Sequence, residues 1–417
     1  MMSRWLVLAA TALVVAAPVA AVFTLRFIVY PQEACGIQEP SAWAAASLNA
    51  GHWMQRALKP DGSYVYIYRS ESDSQPIEYN EVRHAGVTMA LYQMAGRTGD
   101  AAVLTNADRG LAWMTERLHR QDGWAALTGL GGVHAPLGAT ALMLVGLAER
   151  RLSTGDDQYD ELMAELGAFL VAMQREDGGF HVAWTVPQGW PDTTGTSRYY
   201  PGEALWGLAL LHEAMPEGRW ESAARDAARF ISTQRDEIEN VRVSPLNDHW
   251  ASYGFAEMAE WGLEEPEVAY ARRLADRFSD IVERESVREH GGLGGLLQPG
   301  DKRRAASLGT WVEGLAALWR LSVTDDRLSD LTSEIEESLS CAAGILASRQ
   351  VTDEQSSDFG SPELAAGAWF AKGETRMDDQ QHALSGLRYA SDMADGRSDR
   401  EPGLSLAAET RTQGSSD

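Results

Sequence analysis

Basic side chains and cysteine are what this 417-residue sequence has least of. Its 36 lysines and arginines face 60 aspartates and glutamates, a formal net charge of −24, and only Lys59, Lys302 and Lys372 are lysines. A surface this acidic repels phosphate backbones and anionic lipid headgroups, which sets nucleic acid aside as a partner. The two cysteines, Cys35 and Cys341, allow at most one disulfide. No CxxC or HxxxH spacing is present, so no metal is expected. Strand-like alternation is sparse; Tyr64-Val-Tyr-Ile-Tyr68 is the best run, read as a hairpin within a loop.

Long apolar runs are scarce too, with one exception. No charge occurs from Trp5 to Leu25. About 21 residues of helix span about 30 Å, the thickness of a bilayer core. The run resumes past Arg26 as Phe27-Ile-Val-Tyr30, which favours an uncleaved anchor over a signal peptide cut near Ala17 to Ala21. Residues 1–30 are therefore expected to be a single-pass membrane anchor with the remainder outside the cytoplasm. Residues 394–417 are read as a disordered polar tail.

Between them, residues 31–393 read as one all-α domain. Apolar residues recur at helical spacing in twelve segments, the first Ser41–Leu58 and the last Arg376–Met393. Two kinds alternate. VTMALYQMAG, GATALMLVGLAE, GEALWGLALLHE, HWASYGFAEMAE, TWVEGLAALWRL and HALSGLRYA are apolar on every side, as buried helices are. The others, such as the segment from Trp220, carry one apolar stripe and many charges. This is a hairpin-level repeat: six buried helices inside six covering ones. The first helix lacks an inner partner before it and the last lacks a cover after it, so the two ends are expected to meet and close a ring. An open stack would need polar caps instead. Ring closure also favours a bond between Cys35, just before the first helix, and Cys341, in its expected neighbour.

The chain resembles the (α/α)6 toroid families: six-hairpin glycosidases, sugar epimerases, polysaccharide lyases and terpenoid-cyclase-like proteins. QREDGGF at Gln174–Phe180 resembles the QxxDGGF turns of the last group, and RQDGW at Arg120–Trp124 is a weaker copy. The resemblance implies that the Gln caps a helix end and the Gly pair turns the chain. The DxDD motif of squalene-type cyclases and the Cys/Cys/His zinc set of lanthionine cyclases are absent.

In such a ring the inner helices run the same way, so their N-terminal ends share one mouth, which six helix dipoles make electropositive. Asp248, Asp378 and Ser307 stand where N-caps belong. Glu203 and Glu313 lie inside apolar helices, where an unpaired carboxylate is costly and its pKa is raised. A salt bridge between Arg83 and Glu313 is the purely structural alternative. His84, His249 and His382 each sit near an inner-helix start and suit acid–base work. The 14 tryptophans, among them Trp190 and Trp250, offer faces for sugar rings.

The leading expectation is a membrane-anchored, extracytoplasmic enzyme acting on an envelope or secreted glycan. Glycoside hydrolysis by two carboxylates comes first, with Glu203 and Glu313 as the pair, Asp248 and Asp379 in reserve, and His84 beside them. No cofactor is required. One alternative is a lyase or epimerase on uronic acids or amino sugars, with His84, His249 or Tyr200 moving a proton and Arg83 or Arg304 neutralising a substrate carboxylate. Trp250, Trp190 and His382 are assigned to substrate contact. Another is a non-catalytic glycan-binding or envelope-assembly module.

Overall fold

The computed structural model describes residues 17–18, 21, 35–241, 247–289 and 303–397. Nearly all of the expected anchor and most of the expected tail lie outside the described residues. Among the described residues no helix is long and apolar enough to cross a membrane.

Twelve helices carry the fold: α1 Pro40–Ala57, α2 Glu81–Thr98, α3 Ala101–Thr115, α4 Leu137–Thr154, α5 Asp160–Met173, α6 Tyr200–Ala214, α7 Trp220–Thr233, α8 His249–Glu257, α9 Glu265–Glu289, α10 Ala305–Thr324, α11 Thr332–Ser348 and α12 Met377–Ala394. The even-numbered helices form the inner ring. Each packs on the next, and α12 packs back on α2. The sequence dictates this layering. In α6 every residue from Pro201 to Leu211 is buried, which requires neighbours on all sides. In α7 the buried set narrows to a stripe of Ala223, Ala224, Ala227, Ala228, Phe230, Ile231 and Ser232, and its charges face outward.

The ring closes where the chain's two ends meet. Helix α1 packs on α12 and α11, and Ser47 donates to the Leu384 carbonyl at 2.8 Å. A disulfide joins Cys35 to Cys341, 306 residues apart. The run at Tyr64 is not a local hairpin. Strand β1, Ile67–Arg69, pairs antiparallel with Glu374–Arg376 just before α12. All of Tyr64–Tyr68 is buried, and the strand's partner lies at the far end of the chain. Short strands elsewhere line the loops; His134–Pro136, Ala183–Thr185 and Trp190–Pro191 make one small sheet.

Glycine decides two close approaches. Gly178 holds φ 87° in the QREDGGF turn, and the Gln174 amide there donates to the carbonyls of Gly178 and Ala223, tying the turn to α7. Gly309 lies so near α12 that a Cβ would strike the His382 backbone. This lets α10 and α12 touch at the level where Glu313, one turn further along α10, reaches the His382 ring.

Candidate functional site

A cavity of 460 Å³ opens at the N-terminal ends of the inner helices, within the range of about 300–1,000 Å³ usual for small-molecule sites. All six inner helices line it from their first two turns: Arg83 of α2, Leu142 of α4, Glu203 of α6, His249 and Trp250 of α8, Ser307 and Thr310 of α10, Asp378, Gln381 and His382 of α12. The aligned helix termini add partial positive charge at this point.

Three titratable groups meet at its base: His249 and His382 line it, and Glu313 lies beneath them. Glu313 is fully buried. One of its carboxylate oxygens hydrogen-bonds His382 Nδ1 at 2.7 Å, and the same oxygen is 3.7 Å from His249 Nε2. The two imidazoles stand edge to face, with centroids 5.1 Å apart. Burial pushes the Glu313 carboxyl up from its ordinary value, while His382, Tyr253 and Ser385 pull it back. His249 is held well below the ordinary imidazole value, by burial first and then by His382. It is therefore neutral near pH 7. Neither His249 ring nitrogen makes a hydrogen bond, although the ring is buried and packed on Trp250 at 4.2 Å. Trp250 in turn stacks on Trp206 at 5.5 Å, which fixes the wall.

Glu203 is the second unusual group. It is 3% exposed, lines the cavity, and leaves Oε2 without a partner. Burial, and then the charge of Asp248, raise its pKa well above the ordinary carboxylate value, which favours its protonated form. Gly138 on α4 makes room for it; a Cβ there would collide with Oε2.

Several residues singled out from the sequence serve the scaffold instead. His84 is fully buried away from the cavity. Tyr79 Oη meets its Nδ1 at 2.7 Å and the Gly110 carbonyl its Nε2 at 2.9 Å, while Trp113 stacks on it at 4.2 Å. Burial drives its pKa down to about 3. Asp248 caps α8 through Ala251 N and forms a fully buried ion pair with Arg235 at 2.6 Å. Asp379 accepts from the backbone of Arg376 and Ala306 and from Arg304. Arg304 is also held by Glu374 at 2.9 Å, and neither it nor Asp379 lines the cavity. Arg83 does not pair with Glu313; it binds Asp378 at 3.0 Å and the Tyr66 hydroxyl. Ser307 and Asp378 lie within their helices rather than capping them; Arg304 and Arg376 hold the cap positions.

The aromatic expectations divide. Trp250 is in the wall, but Trp190 is 61% exposed on the small sheet and does not line the cavity. Trp184, half-buried, packs edge-on against Trp124 at 5.1 Å on the flank of the core. Tyr200 opens α6 with its ring against Gly138, and burial lifts its phenol to about 12, so it is no base near neutrality. Tyr199 faces the cavity and stands 6.2 Å from His249, centroid to centroid.

No family model matches the chain, and no curated protein does. Solved structures do. A cellobiose 2-epimerase from Spirochaeta thermophila superposes with TM-score 0.58 at 15% identity, covering 85% of this chain and 99% of that one. An unsaturated glucuronyl hydrolase specific for heparin gives 0.57 at 12%, covering 88% and 100%. An α-1,6-mannanase from Salegentibacter sp. gives 0.54 at 15%, covering 84% and 98%. These neighbours are six-hairpin glycosidase-like proteins. At such identities the likeness is one of fold, and the site must be argued from its own residues.

Within this six-hairpin ring the sequence reading missed Arg277 and the cavity-facing roles of Arg303, Arg376 and Gln381. A signal for Arg277 existed. It sits three residues after buried Leu274 and four before Ile281, on the edge of the stripe that α9 turns inward. Among the described residues, His249, Glu313 and His382 are the one trio whose donor atoms lie close enough together, within 4.8 Å, to hold a metal ion. The carboxylate there already engages His382 Nδ1 in a hydrogen bond.

Proposed function

We propose that this chain is a sugar isomerase or epimerase that moves a proton on the carbon beside the carbonyl of an open-chain aldose. One observation carries the reading: two imidazoles face one cavity across a shared buried carboxylate. Glu313 behind His382 fixes the ring's orientation and stabilises its protonated form, as a carboxylate does behind a catalytic histidine. His249, neutral and with free ring nitrogens, is a second proton carrier. One imidazole takes the C2 proton. The C–H electron pair enters the C1–C2 bond and the carbonyl oxygen becomes anionic. The six helix termini and Glu203, whose carboxyl burial shifts toward the protonated form, stabilise that charge. Returning a proton to C1, while the O2 proton passes to O1 and C2=O forms, gives the ketose; returning it to the other face of C2, with the carbonyl reformed at C1, gives the epimer.

Cellobiose 2-epimerase and D-mannose isomerase among the structural neighbours support this reading. Hydrolysis by Glu203 and Glu313 is disfavoured because Glu313 lies beneath the histidines rather than in the cavity. A hydrolase remains supported by one observation: Glu203 and Asp378 both line the cavity, one with its pKa raised by burial and one held by Arg83 and Arg376. Product analysis separates the two. Incubation with a panel of aldoses, aldobioses and uronic acids is expected to give ketoses or C2 epimers. New reducing ends from oligosaccharides, with no isomer formed, would point to the hydrolase. We also propose that the domain works outside the cytoplasm behind the N-terminal anchor; the disulfide suits an oxidising compartment.

A further inference from the structure

The chain is strongly acidic, yet its cavity is not. Arg83, Arg277, Arg303 and Arg376 all line it. Against these four guanidinium groups stand two carboxyls, Asp378 and Glu203. Burial pushes the Glu203 carboxyl toward its protonated form, and Asp378 is shared by Arg83 and Arg376. The guanidinium groups of Arg277 and Arg303 have no acidic partner among the described residues, although Arg272, on the same helix as Arg277, is paired with Asp330 at 2.7 Å.

The hydrogen-bonding inventory leans the same way. Arg277 Nε, Arg376 Nε and Gln381 Nε2 are buried donors without acceptors. A buried donor left unmade costs about 1–3 kcal/mol, so a cluster of them around one cavity marks the place of a missing acceptor. Arginine is the side chain suited to hold an oxyanion through a two-pronged bond.

We infer that the sugar carries an oxyanion, a carboxylate or a phosphate, and that Arg277 and Arg303 receive it at the cavity's α9–α10 side. This deepens the proton-transfer reading by naming the substrate class, but it concerns charge and not chemistry. Arg83 and Arg304, the earlier candidates for this task, are occupied by Asp378 and by Asp379 with Glu374. A charged group fixed at one end would set the register of the open-chain sugar over His249 and His382.

The test is titration calorimetry on the purified full chain carrying His382→Asn, so that binding is read whether or not turnover exists. Glucuronate, glucose 6-phosphate and glucose are the probes. At least one anionic sugar should bind ten or more times tighter than glucose, and the advantage should shrink between low and high salt. The preferred probe identifies the oxyanion. Arg303→Gln, at an exposed position that folding tolerates, and Arg277→Gln should each remove most of the preference. Arg120→Gln, an exposed arginine paired with Glu165 and absent from the cavity lining, should not. Glucose binding as tightly as both anions, no binding of any probe, or a preference that survives both arginine changes overturns the inference. None of these results bears on proton transfer, which product analysis with the unaltered chain reads separately.

Discussion

His84 and His382 lie near the starts of adjacent inner helices, and their surroundings are opposite. Around His84 every polar atom is answered: a phenol on one nitrogen, a carbonyl on the other, an indole over the face. Around His382 one nitrogen is answered by Glu313, and the ring lines the cavity beside a His249 with no hydrogen bond at all. The first region is closed on itself and can only stabilise. The second is left incomplete on the side of the cavity, where a substrate would complete it. Asp248 with Arg235 belongs with the closed kind: both are fully buried and bound to each other, and Arg235 also meets the Tyr270 hydroxyl at 2.6 Å. Burial of a charge or an imidazole does not by itself mark a functional residue; the unanswered valence facing a cavity does.

Changes that swap the two behaviours would break this contrast. Arg235→Met should have the largest effect on folding. It leaves Asp248 buried without its partner, a loss of about 3–5 kcal/mol, visible as a lower denaturation midpoint, while the folded fraction keeps its turnover. Glu313→Gln keeps the volume but removes the charge behind His382. It is expected to lower kcat about a hundredfold with little change in melting temperature. A large loss of stability with turnover intact would move Glu313 to the closed kind.

The last effect concerns pH. His84 is held to about 3 in the folded state, against about 6.5 unfolded. Between those values the unfolded chain binds a proton that the native chain refuses. Stability from this group is therefore full above pH 6.5 and is lost as pH falls, by up to about 1.4 kcal/mol per pH unit. His84→Gln should flatten that slope in urea unfolding measured at pH 7 and pH 4.5. An unchanged slope would show that His84 is not buried neutral.

The ring was legible because it rests on local pattern. A helix apolar on every face has to be surrounded, and the missing partners of the first and last helices pointed to closure. The mouth followed from helix direction. The site's inner geometry was not legible, because it depends on register between helices far apart in sequence. Glu313 stood out as a carboxylate in an apolar run, yet whether it meets Arg83 or His382 turns on where Gly309 lets α10 approach α12. Asp248 and Asp379 looked alike as carboxylates near helix starts. Their arginine partners come from Arg235, after α7, and from Arg304, before α10, and no spacing along the chain announces them. Arg277 was passed over because α9 reads as a covering helix, and only its inward edge reaches the cavity.

The account stands most directly on solvent deuterium at C2. The unaltered chain, His84→Gln and His382→Asn should be incubated side by side in D2O with the best substrate, and the C2 proton followed by NMR. The account predicts exchange by the unaltered chain and by His84→Gln, and a loss of about a thousandfold or more in His382→Asn, with the melting temperature lowered only in His84→Gln. Exchange at the full rate by His382→Asn, or turnover of substrate with no deuterium entering C2 in the unaltered chain, would contradict it.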